Sequence, residues 1–111
     1  MFSVPEDAKI IFYSKPISQL NGVDGLSAVI QSEMGMDPCS GCYFLFCNTK
    51  RDRFKILYKE GGNLAIWFKR FEGTLGFSYT NQIVTFDKIT FLAFLEKTSS
   101  RYHYTLKDFF K

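Results

Sequence analysis

The chain carries a single histidine, His103, and three cysteines, Cys39, Cys42 and Cys47. That is a thin stock for a metal centre or a nucleophilic site. Three thiols form no even disulfide framework, and in a reducing cytosol free thiols are the expected state. No apolar run approaches the roughly 18 to 20 residues that cross a bilayer. The opening MFSVPEDAKI has neither the basic nor the apolar region of a signal peptide. Internal repeats, linkers and low-complexity segments are also lacking. Membrane, secreted and disulfide-scaffold classes drop out, and the expectation is one cytoplasmic domain over residues 1–111.

What is present is apolar and aromatic. Thirteen phenylalanines in 111 residues supply enough surface for one core, in a chain too short for two domains. Ala8 to Ser14 is an apolar run of β-formers closed by Lys15-Pro16, and reads as a strand. From Asn21 to Met34 the period changes. Val23, Leu26, Val29 and Ile30 recur at helical spacing, Asn21 or Asp24 offers an N-cap, and Gly35 and Pro38 stop the helix. YFLFCN, RFKILYK and LAIWFKRF follow, separated by TKRD and EGGN, which predicts an antiparallel meander of three strands or more. Thr74 to Thr80 is a weaker extension and Ile83 to Phe86 a further strand, after which Asp87 caps a helix through Glu96. The residues from Thr98 onward mix polar and aromatic types and receive no element. The fold class expected is α+β, an antiparallel β-meander packed with one or two helices.

The net charge of +3 is mild, but its distribution is not. Thr49 to Glu72 holds seven basic residues against three acids, and the rest of the chain seven against eight. All the positive excess lies in 24 residues. Alternation along a strand puts Phe54, Ile56 and Tyr58 on one face and Arg53, Lys55, Leu57 and Lys59 on the other. On the next strand Leu64, Ile66 and Phe68 oppose Ala65, Trp67, Lys69 and Phe71. Placing both apolar sets on one side requires Tyr58 beside Leu64, Ile56 beside Ile66 and Phe54 beside Phe68, hence a three-residue connection, Glu60-Gly61-Gly62. The outer face would then carry Arg53, Lys55, Lys59 and Lys69 around Trp67. Cations with an aromatic plate suit nucleic acid. The competing reading is a solvated sheet face with Trp67 covered by a helix or by the C-terminal tail.

Catalytic signals are sparse. Asp24, Asp37 and Asp52 fall on different elements without the spacing of a two-metal site, and Gly61-Gly62 lacks the flanks of a phosphate loop. Cys39 and Cys42 form a C-x-x-C, half of a zinc site. Cys47 lies about 16 Å along an extended chain from Cys42, too far for the same tetrahedron without a fold-back. A thioredoxin-like motif would follow a strand and open a helix, whereas CSGC follows a helix and leads into a strand.

In order and spacing, GVDGLSAVIQ (22–31), DPCSGCYFLFCN (37–48), DRFKILY (52–58) and WFKRFEG (67–73) resemble the TnpB accessory proteins of the IS 66 family of insertion sequences. That pattern runs approximately as a GFDGL helix, then DPFSGHLFVFRN, DRLKLLY and LWYKRLE. The resemblance covers about residues 8–97, leaves 98–111 outside, and does not extend to the much larger RNA-guided nuclease of the same name. It implies a small bacterial accessory protein of transposition that is not an enzyme, since strand cleavage belongs to the separate transposase. DNA at or near the element ends and the transposase are the implied partners. Two departures stand out: Leu20 and Asn21 occupy the place of an Arg-Lys pair, and Cys47 the place of an Arg. The candidate DNA-binding residues are Lys50, Arg51, Arg53, Lys55, Lys59, Trp67, Lys69 and Arg70, with no catalytic, metal or cofactor-binding residue assigned. The alternative is a module docking on the transposase without DNA contact, with Trp67 and Arg70 as anchors. The family pattern shares Asp37, Pro38, Ser40 and Gly41 but neither cysteine, so CSGC reads as a turn launching the first strand of the meander.

Overall fold

A computed structural model describes residues 4–70 and 83–98, with side chains as far as Ala93. Five strands and two helices follow one another: β1 (Ile10–Pro16), α1 (Val23–Ser32), β2 (Tyr43–Cys47), β3 (Arg53–Glu60), β4 (Asn63–Arg70), β5 (Ile83–Phe86) and α2 (Lys88–Thr98). They form one sheet in the order β4-β3-β2-β1-β5. The architecture is α+β, with the predicted meander realised in β2, β3 and β4. One feature departs from a pure meander. β1 runs parallel to β2 and antiparallel to β5, because α1 returns the chain before β2 begins, as a parallel neighbour requires. Thr74 to Thr80 and the segment from Ser99 onward lie outside the described residues.

Alternation then fills both sides of the sheet. Ile11, Phe44, Phe46 and Leu57 meet Leu26 and Ile30 of α1. Ile10, Phe12, Leu45, Cys47, Phe54, Ile56 and Phe86 point the other way and pack with Val4 and with Phe91 of α2. Each fully buried Phe or Leu contributes about 1.5–3 kcal/mol of transfer free energy, so the two layers together carry the fold. The interior strands are apolar on both faces, as sandwiched strands are.

α1 begins at Gly22, which has no side-chain cap. Neither predicted cap serves: Asn21 donates its side-chain amide to the Ser18 carbonyl at 3.1 Å, and Asp24 lies inside the first turn, where it complements the helix dipole. α2 begins as expected, with the Thr90 N–H donating to Asp87 Oδ1 at 2.7 Å. That contact holds the Asp87 carboxyl below its ordinary pKa.

The β3–β4 register corrects the expectation. Glu60 pairs with Asn63, Lys55 with Phe68, Phe54 with Lys69 and Arg53 with Arg70, so the connection is the two residues Gly61-Gly62. Gly61 has φ 60°, the left-handed backbone that a tight two-residue hairpin asks of its first loop residue. The reason the expected register fails is Leu57. It packs beneath α1 with Leu64 and Ile66, while Phe54, Ile56, Tyr58 and Trp67 pack on the other side. With both faces covered, no pressure exists to gather every apolar residue on one.

Candidate nucleic-acid interface

This register redistributes the basic residues. Arg53, Lys55, Lys59 and Arg70 share the α1 face with Phe68, whereas Lys69 and Trp67 lie on the opposite face. Trp67 is half-buried against the core of that side, so the expected ring of cations around Trp67 does not form. The exposed aromatic is Phe68, 49% accessible and directly opposite Lys55.

Lys59 stands apart. It lies six positions along the strand from Arg53, about 20 Å away, and is exposed near the Gly61-Gly62 turn. Lys55 is engaged in the fold: its ammonium donates to the carbonyls of Gln19 and Asn21, both at 2.8 Å. Those bonds tie the loop entering α1 to the third residue of β3. They also show that the start of α1 and the start of β3 lie at the same end of the sheet.

At that end sits the β2–β3 turn, Thr49 to Asp52, organised by the buried Asn48. Its Oδ1 accepts from the Asp52 N–H at 3.0 Å and the Arg53 N–H at 3.1 Å, and its amide donates to Asp52 Oδ1 at 2.6 Å. Asn48 is the leading cause holding the Asp52 carboxyl below its ordinary pKa, with Arg53 and Lys50 adding to it. Arg51 carries the turn's left-handed residue, φ 58°, a conformation that costs a side-chain-bearing residue about 1–2 kcal/mol. Lys50 is exposed at the tip and Arg51 half-buried beside it.

The cross-strand pair below the tip is Arg53 opposite Arg70. Directly opposed residues have Cβ atoms about 4.5–5.5 Å apart, and like charges there are destabilising. Asp52 offsets this only in part, its carboxylate lying 4.0 Å from the Arg53 guanidinium in a solvated setting. Lys15 joins the same end from β1, because Pro16 pairs with Cys47 just before the turn. Lys50, Arg51, Arg53, Arg70, Lys69 and Lys15 therefore gather at one end of the sheet, where Asp24 and Asp52 are the described acids.

A family model described as IS66 Orf2 like protein matches residues 8–97. The chain belongs to that family. Comparisons with curated proteins and with solved structures give no match. As an Orf2-like protein it is an accessory protein of IS66 transposition, associated with that machinery. No helix among the described residues is long and apolar enough to cross a membrane.

The stretch DPCSGC of this Orf2-like chain is the predicted turn. Asp37 accepts the Cys39 N–H on its carboxylate at 2.9 Å and the Ser40 N–H on its carbonyl at 3.0 Å. Gly41 takes φ 94°, and β2 starts at Tyr43. Cys39 is exposed, Cys42 half-buried and Cys47 buried. Cys42 packs on the α1 side and Cys47 on the other, so the three thiols diverge. His103 lies outside the described residues. Among the site residues, Phe68 and Lys15 are the ones the sequence reading passed over. Phe68 shares the strand face of Leu64 and Ile66, which alternation assigns to the core, yet it stays exposed where those two pack on the α1 side, and Lys15 becomes a neighbour of the turn only through the parallel β1–β2 pairing.

Proposed function

We propose that this accessory protein binds DNA of its insertion sequence through the cationic end of the sheet, with Lys50, Arg51, Arg53 and Arg70 on phosphates. The observation that carries the reading is the Arg53–Arg70 pair. Two arginines paired across a ladder put like charges side by side, and a phosphate bound between them would convert that repulsion into two charge-assisted contacts. The strained Arg51 at the adjacent tip supports the same reading, since strain in a surface turn is retained where the residue has work to do.

Lys55 acts as a tether of the α1 loop, Lys59 lies too far to join, and Trp67 and Lys69 serve the opposite face. Lys15 extends the cationic surface. The protein performs no bond cleavage in this scheme; its contribution is to hold element DNA for the transposase.

Fluorescence anisotropy with a labelled duplex carrying an element end tests it at low salt. Arg53→Glu/Arg70→Glu should weaken binding by at least about 100-fold, as expected when two phosphate contacts become repulsive. Lys59→Glu should change it by less than about threefold. Equal losses from both variants would show nonspecific charge attraction and sink the assignment of the site.

A further inference from the structure

We infer that the DNA held at this end is single-stranded, with Phe68 stacking on an unpaired base while Arg53 and Arg70 hold its phosphates. The inference rests on the DNA-binding reading above and specifies the ligand. Along the α1 face of β4, Leu64 and Ile66 are drawn into the α1 core, and the next residue on that face, Phe68, stays half in water. A phenyl ring left there forgoes burial that its two predecessors on the strand obtain.

Its surroundings identify what would cover it. Arg70 is the next same-face residue on β4, Arg53 lies diagonally across on β3, and Lys55 directly opposite. Same-face positions on one strand are about 7 Å apart, so a ring and a guanidinium placed in this way can hold a base and a neighbouring phosphate together. An exposed aromatic flanked by cations on a sheet surface is the arrangement that single strands use, since every unpaired base offers a π-face. In a duplex those faces are stacked inside, and Phe68 would gain nothing from it. A protein partner would bury the ring equally well but would have to bring acidic residues for the paired Arg53 and Arg70. The charge at this end favours phosphate.

The test is an anisotropy titration with labelled oligo(dT) and with the same strand annealed to oligo(dA), at one moderate salt concentration. The wild-type chain should bind the single strand about tenfold more tightly than the duplex. Phe68→Leu, which keeps the apolar bulk and removes the ring, should lose about tenfold for oligo(dT) and leave duplex binding unchanged. Equal affinity for both DNA forms, or unchanged single-strand binding by Phe68→Leu, overturns the inference while leaving DNA binding itself standing. Binding of neither form while the element-end duplex still binds overturns this inference alone, and binding of none of the three overturns the DNA-binding reading with it. Should Phe68→Leu melt early, Phe68→Trp decides: single-strand binding at least as tight as wild type supports stacking, and weaker binding overturns it.

Discussion

Arg51 sits where glycine or asparagine would be comfortable, at φ 58°, and its position gives a prediction that separates stability from function. Arg51→Gly should raise stability by about 1 kcal/mol through relief of the left-handed strain and weaken DNA binding severalfold through the lost charge. Chemical denaturation and anisotropy on the same preparations check the two signs. Asn48 makes the complementary case. Its side chain satisfies two backbone N–H groups and one carboxylate, so Asn48→Ala should cost about 1–3 kcal/mol and loosen the turn that carries Lys50 and Arg51. The variant also has a pH signature. The Asp52 pKa is depressed in the folded chain, first by Asn48, so its stabilising contribution is present above the ordinary aspartate range and is lost as pH falls through the depressed value. With Asn48 gone, stability should decline less steeply below about pH 4, a difference that acid titration of the unfolding midpoint reads.

At the scale of elements, β3 is the informative strand. Its residues alternate between two cores, and Leu57 is the member that sequence alternation set among the cations. Leu57→Ala should destabilise by about 2–5 kcal/mol, whereas Lys59→Ala, on the same face and exposed, should stay within about 0.5 kcal/mol. Urea unfolding of the pair distinguishes the observed register from one in which this face is solvated throughout. Short-range chemistry made the rest of the local structure readable. Helical spacing located α1, Asp87 marked the start of α2, Gly61-Gly62 marked a hairpin, and Asp37 with Ser40 and Gly41 marked the turn into β2. Register was not readable in that way, because it depends on whether one face of the sheet or both are covered. On β3 the sign that both are is one apolar residue, Leu57, and the unbroken apolar runs of β1 and β2 point the same way.

Across the whole molecule, the site is an outcome of topology. The parallel placement of β1 beside β2 brings the end of β1, the start of α1, the β2–β3 turn and the end of β4 to one end of the sheet. Charge counting located the basic segment but not its grouping. It merged Lys59 with Arg53 and Trp67 with Lys55, which the folded sheet separates by distance or by face. It also gave no sign that Lys15, more than thirty residues before the turn, joins the same surface. The motif pattern from residue 8 to residue 97 was the signal that led to the family, and it identifies the machinery served more directly than any local chemistry does. The geometry adds which cations stand together and which serve the fold.

The measurement that bears most directly on this account is the salt dependence of DNA affinity, compared between the wild-type chain and Arg53→Ala/Arg70→Ala. Four phosphate contacts on a single strand predict a slope of log affinity against log salt of roughly −3, and removal of two should bring it to roughly −1.5. A wild-type slope near zero, or one that the double substitution leaves unchanged, would contradict the assignment of the cationic end as the DNA-binding surface.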